Sequence, residues 1–303
     1  MSSIIILQFP SNLGLKEPTP GHEPGVKKLP SWLNQHGFHS LIDPVATLTL
    51  QPPPYSMNLD KDSGVRNADA IIEYAKKQAD LLQEVISSRS FALILGGDCS
   101  ILIGSALALK REGRYGLFYI DGHHDFMLPA LSGTGGAAGM DTAIITGHGH
   151  PKLTDIEGLQ PYFKEEHVWC IGNREYDEEY VTPIKKSSIH YLDLIAFRKQ
   201  GAGKCVEEFL SMTRSEKLDG FMIHLDVDVL NDEIMPAVDS RTEDGMSYAE
   251  LDAILTPLLR SQNAVGIEIT ILDPELDPDG TYTRQFVEQF CRIFNNAMLS
   301  VSQ

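Results

Sequence analysis

Short apolar runs recur along this chain, and helical stretches separate them. MSSIIILQFP opens the chain, and FALILGGD (91–98), YGLFYIDGHHD (115–125), HVWCIG (167–172), IHYLDL (189–194), FMIHLDVDVL (221–230) and AVGIEITIL (264–272) follow. Most are apolar along their length rather than alternating, which is the pattern of strands buried on both faces. Between them, residues 68–88 place Ala70, Ile71, Tyr74, Ala75, Leu81, Leu82 and Val85 near one helical face. Residues 101–113, 203–216, 247–262 and 281–300 also read as helices, the third with Ser247 as N-cap and Glu250 three residues on. Strands alternating with helices predict a parallel sheet covered on both faces. The expected fold class is therefore α/β: a three-layer α/β/α domain spanning 1–303, with a mostly parallel sheet of about eight strands. Residues 10–65, rich in proline and glycine, read as a long irregular segment.

Composition narrows the function classes. A hydrophobic fraction of 42% with 22% charged residues excludes disorder over most of the chain. No apolar run approaches the roughly 20 residues of a membrane helix. The first run is too short for a signal sequence and lacks a basic flank, so a cytoplasmic location is expected. The net charge of −17 argues against binding nucleic acid through its phosphates and fits a cationic small substrate or bound cations, beyond plain solubility. Cys99, Cys170, Cys205 and Cys291 form no CxxC pair, so neither a disulfide framework nor a zinc-finger cluster is expected.

Three polar clusters end apolar strands: Gly96-Gly97-Asp98-Cys99-Ser100, Asp121-Gly122-His123-His124-Asp125 and Asp226-Val227-Asp228. In a parallel sheet they share the edge where ligands bind. Each alone has a plainer reading, as a turn or a polar loop. Together they collect five carboxylates and at least one imidazole. Carboxylates crowded this closely repel one another unless a cation joins them. Asp and His with little sulfur suit Mn, Zn, Fe or Co. Alternation along the third strand predicts that Asp226 and Asp228 share a face.

Carried in this order across nearly the whole chain, the clusters resemble those of the arginase, agmatinase and formiminoglutamase family, the ureohydrolases. The resemblance implies an arginase-like sheet and two Mn2+ ions bridged by a hydroxide that attacks a guanidino carbon, with urea as product. It implies metal ligands at Asp121, His123, Asp125, Asp226 and Asp228, with Asp121 and Asp226 bridging both ions. His123 and Asp228 would complete one site. Asp125 would serve the other and accept a hydrogen bond from the nucleophile, which makes it the catalytic candidate. Asp177 in IGNREYDEEY matches an acidic contact to a substrate ammonium group, with Glu175 beside it. The segment LSGTGGAAGM, with Thr134, takes the place of a loop that reads an amino acid's carboxylate. Asp239, Glu243 and Asp244 either face the pocket or cap the helix beyond. A homo-oligomer is expected by the same analogy.

Three positions depart from the family pattern. Cys99 stands where a histidine ligand is usual; it is either a thiolate ligand, favouring Zn2+ or Fe2+, or a neutral buried thiol that leaves one site weak. Ala138 replaces a proton-handling histidine, for which His124, His148 and His150 are candidate substitutes. Ile271 replaces a glutamate that grips guanidinium, and Glu268, three residues earlier, falls on the opposite side of the strand. Arginine itself is therefore a doubtful substrate, and another guanidino or amidino compound is expected. A single-metal amide hydrolase of the deacetylase type and a non-catalytic metal-binding relative are the alternatives.

Overall fold

The apolar runs all enter one sheet. A computed structural model describes residues 3–300. Its eight strands are β1 (Ile4–Gln8), β2 (Ala46–Thr49), β3 (Phe91–Leu95), β4 (Tyr115–Ile120), β5 (Val168–Ile171), β6 (His190–Leu192), β7 (Gly220–Asp226) and β8 (Ala264–Thr270). They lie in the order β2-β1-β3-β8-β7-β4-β5-β6. Every pairing is parallel, so all carboxyl ends meet one edge.

Alternation along the strands divides the apolar side chains between two cores, one on each face. Phe91, Leu93, Phe118 and Ile223 pack with Ile254 and Phe290 of the helices Tyr248–Leu259 and Thr281–Ser300. Ala92, Ile94, Leu117 and Met222 pack on the other face with the helices Ala68–Ser87 and Leu102–Glu112. On the last helix Phe286, Phe290 and Phe294 recur every four residues and stack with centroids 5.6 and 5.9 Å apart. Burial of each such ring contributes about 2–3 kcal/mol. Ser247 and Glu250 form the expected reciprocal cap. Among the described residues, no helix is long and apolar enough to cross a membrane.

Two expectations need correction. Residues 10–65 are not irregular throughout: they hold β2 and the helices Leu29–Gln35 and Phe38–Ile42. β2 is a short edge strand whose residues are mostly exposed, so it lacks the apolar signature of the others. The strand expected over 221–230 ends at Asp226, where a 3-10 turn, Val227–Val229, begins. Asp226 starts that turn by accepting the backbone N–H of Asp228 at 2.8 Å. Simple alternation therefore does not relate the two carboxylates; a capped turn brings both to the same cavity.

Candidate metal centre

The carboxyl ends of β3, β4, β7 and β8 open onto a cavity of about 510 Å³. Its lining includes Cys99, His123, Asp125, Asp226 and Asp228. After β3, the backbone passes so close to Ser11 that a Cβ on Gly97 would lie 1.7 Å from the Ser11 carbonyl oxygen. Only glycine fits there. Asp98 does not face the cavity: it accepts the N–H groups of Ser100 and Gly14 at 2.9 and 3.2 Å and fixes the turn that presents Cys99.

The loop after β4 is held by its own backbone. His123 N–H donates to Asp121 Oδ1 at 2.7 Å, and Gly122 N–H donates to Asp228 Oδ1 at 2.9 Å. His123 Nδ1 lies 2.8 Å from Asp228 Oδ2. The Cys99 thiol donates to Asp226 Oδ2 at 2.9 Å. Tyr119 Oη donates to Asp125 Oδ2 at 2.8 Å and reaches Asp141 Oδ1 at 3.2 Å. Asp125 itself takes a left-handed backbone, φ 46°, which Asp tolerates better than most residues.

The electrostatics follow from burial and crowding. Burial, then the charges of Asp226 and Asp125, push the Asp121 carboxyl well above the ordinary carboxylate range. Burial and Asp228 do the same to Asp226. Asp125 is pushed up to about 6, chiefly by burial. Asp141 rises for the same reason, aided by Asp125. Burial opposes protonation of His123, but Asp228 and Asp121 overcome it; His123 in turn keeps the Asp228 carboxyl low despite burial. Burial pushes the Cys99 thiol well up, and Asp226 adds to it.

These groups fit a divalent cation. Asp121 Oδ2 is buried and has no hydrogen-bond partner among the described residues, a costly state for a carboxylate oxygen unless a cation meets it. Three donor sets each lie within 4.8 Å: Asp121, His123 and Asp228; Cys99, Asp125 and Asp141; and Cys99, Asp121 and His224.

The remaining expected residues divide. Thr134 and Ile271 line the cavity, as do Glu175 and Asp239. Asp177 is not among the lining residues; its carboxylate caps the helix Glu178–Lys186 by accepting the N–H groups of Glu179 and Tyr180 at 3.0 and 3.1 Å. Asp244 is turned to Arg198 at 2.7 Å. None of the three nearby histidines takes the place of the one missing at Ala138. His124 accepts Phe126 N–H at 3.0 Å and its Nε2 meets the Tyr180 carbonyl at 3.0 Å; burial lowers it to about 3. His148 pairs with Glu165 at 2.5 Å, and His150 caps the turn at Lys152. Glu268 is fully buried beside His224, whereas Ile271 packs into the opposite core, as alternation predicts. Ile271 has φ 75°, a strained conformation for a β-branched side chain.

Sequence reading missed Tyr119, Asp141 and His224. His224 had a signal: it precedes Asp226 by two residues on β7, so it shares that carboxylate's face.

Comparison with known proteins agrees with this geometry. The model of the Arginase family matches residues 4–294. An arginase of Bacillus caldovelox is 33% identical over 217 residues, which cover 71% of this chain and 72% of that protein. An arginase of Staphylococcus aureus is 29% identical over 240 residues, 79% of each chain. The native crystal structure of the Bacillus caldovelox arginase superposes with a TM-score of 0.85 at 28% identity, covering 97% of this chain and 98% of that one. Formimidoylglutamase from Bacillus subtilis shares the fold, with a TM-score of 0.74 at 21% identity over 98% and 87% of the two chains. With its eight parallel strands and its carboxylate-rich edge, the chain belongs to the arginase family.

Proposed function

We propose that this chain is a metal-dependent hydrolase of a linear C–N bond in a cationic guanidino or amidino compound. The observation that carries the proposal is the unpartnered Asp121 Oδ2, buried among Asp and His donors at the sheet edge that forms the cavity. Asp121, His123, Asp226 and Asp228 would hold the metal, with Asp125 and Cys99 completing the donor set. Mn2+, two ions per chain, is what the family suggests; the Cys99 sulfur favours Zn2+ or Fe2+ beside it. When bound, divalent ions supply Lewis acidity and make a water nucleophilic near neutral pH.

The chain's own residues supply the rest. Tyr119 holds Asp125 through Oδ2, so that Oδ1 is left to take a proton from the attacking water and return it to the leaving nitrogen. Glu175 and Asp239 give the wall an acidic character that suits a cation. Ile271 leaves one side of that wall apolar, which removes a charge-assisted hydrogen bond worth about 1.5–3 kcal/mol. We therefore propose a guanidino or amidino substrate other than arginine, in a cytoplasmic homo-oligomer. The test is a screen of arginine, agmatine, other guanidino acids and N-formimino amino acids against chain loaded with Mn2+ or Zn2+, with urea, formamide or ammonia as readout. Product that forms only with metal and disappears in Asp228→Ala supports the proposal. Turnover of acyl-lysine amides alone, or of no linear amidine, overturns it. Light scattering on the same sample reads the assembly.

A further inference from the structure

We infer that His224 and Cys99 act together as ligands to a metal ion shared with Asp121, so that the nitrogen ligand absent from the loop after β3 is supplied from within β7. The inference deepens the metallohydrolase reading and rests on it.

The sheet register builds this arrangement. Tyr119 of β4 pairs with His224 of β7, and His224 pairs with Glu268 of β8, so the three form one row across the sheet. Two residues on, the next row whose side chains face the same side pairs Asp226 with Thr270. His224 thus lies one row beneath the carboxylates. A ring nitrogen of His224, the Cys99 sulfur and an Asp121 oxygen lie within 4.8 Å of one another.

His224 is set up as ligating histidines usually are. Its Nδ1 lies 2.7 Å from Glu268 Oε1, and Ser105 Oγ donates to Glu268 Oε2 at 2.6 Å. A carboxylate that holds one ring N–H fixes the tautomer and leaves the lone pair on the other nitrogen. Among the described residues that nitrogen, Nε2, meets only the Thr270 hydroxyl, at 3.5 Å, the limit of a hydrogen bond. The same hydroxyl is 3.2 Å from the Cys99 sulfur. Tyr119 stacks on the imidazole with centroids 4.3 Å apart and planes 6° apart, which holds the ring in place. A His–Glu pair with no exposure costs desolvation and adds little stability by itself. As the support of a metal ligand it has a use, and Asp121, in the same donor set, has a buried Oδ2 without a partner among the described residues. On coordination, the thiol proton now donated to Asp226 leaves to solvent. A donor set of thiolate, imidazole and carboxylate selects Zn2+ or Co2+ over Mn2+.

The test uses the full chain, freed of metal by dialysis and titrated with Co2+. A thiolate-to-cobalt charge-transfer band in the near ultraviolet that vanishes in Cys99→Ser is expected. Pulsed EPR of the same Co2+-loaded chain should show two imidazole nitrogens, and one in His224→Gln. Because His224→Gln alters a buried site, Glu268→Gln gives an independent arm: it should weaken binding about 10–100-fold with the nitrogen count unchanged. A full complement of Co2+ without the band, or one imidazole coupling that His224→Gln leaves unchanged, overturns the inference, while metal-dependent hydrolysis by the same sample leaves the enzyme reading standing. Wild-type chain that binds no metal overturns both.

Discussion

Neutralising one buried carboxylate should stabilise the metal-free chain while it removes metal binding. The perturbation is Asp121→Asn, which keeps shape and removes charge. Asp121 and Asp228 oxygens lie within 4.8 Å, so at an effective dielectric of 20 they repel by about 3.5 kcal/mol or more. His123 Nδ1, 3.7 Å from Asp121, attracts it by about 4.5 kcal/mol on the same scale. These two interactions nearly cancel. What remains is burial together with the repulsion of Asp226 and Asp125, all of which disfavour the Asp121 charge. The variant should gain about 1–3 kcal/mol without metal, a rise of roughly 2–10 °C in melting temperature at the sensitivity of a chain this size. With Mn2+ or Zn2+ at about 100 times its Kd, wild type should gain about 2.7 kcal/mol and the variant almost nothing. The stability order thus reverses between chelator and metal. Differential scanning calorimetry in the two conditions checks it. A variant less stable than wild type in chelator, yet raised by metal as much as wild type, would refute the argument that this cluster is strained until a cation joins it.

Other perturbations separate the parts of the site. Asp239→Asn should raise KM for a cationic substrate about 5-fold or more with kcat little changed, whereas Asp177→Ala should cost about 1 kcal/mol of stability through its lost cap and leave KM alone; steady-state kinetics and urea melts distinguish them. Ile271→Glu should restore a carboxylate to the cavity wall and raise kcat/KM for guanidino compounds about 10-fold; an unchanged ratio would mean that position 271 does not meet substrate. For His124, burial lowers the folded pKa to about 3 from 6.5, so the unfolded chain takes up a proton first as pH falls. Stability is unaffected by this group above 6.5 and declines between 6.5 and 3, by up to about 5 kcal/mol. His124→Gln should lose that dependence, so its stability deficit relative to wild type shrinks as acid is added; a constant difference across that range would count against a neutral buried His124.

How much of this was legible in the sequence depends on whether a residue acts through its neighbours in the chain or across the sheet. The strands that carry the centre are apolar from end to end because both faces are buried, so FALIL and YGLFYI announce themselves. Asp121, His123 and Asp125 are close in sequence, and so are Asp226 and Asp228; a loop can bring such neighbours together with little help from the rest of the fold. β2 was invisible because an exposed edge strand has no need of an apolar face. The second row of the site was invisible for a different reason. Tyr119, His224 and Glu268 read as polar interruptions in otherwise apolar runs, and only strand register joins them. His224 is two residues from Asp226, yet its partner Glu268 is 44 positions away, and Ser105, which holds Glu268, is 163 positions from that glutamate. The departures at Cys99 and Ile271 look like losses while each is considered in its own loop. Across the sheet, the sulfur of Cys99 meets Asp226 and lies near the His224 imidazole that β7 carries. A substitution at a metal site therefore has to be weighed with the row beneath it: three parallel strands in register can move a ligand from a loop to a strand while the donor atoms stay within a few ångströms of the same point.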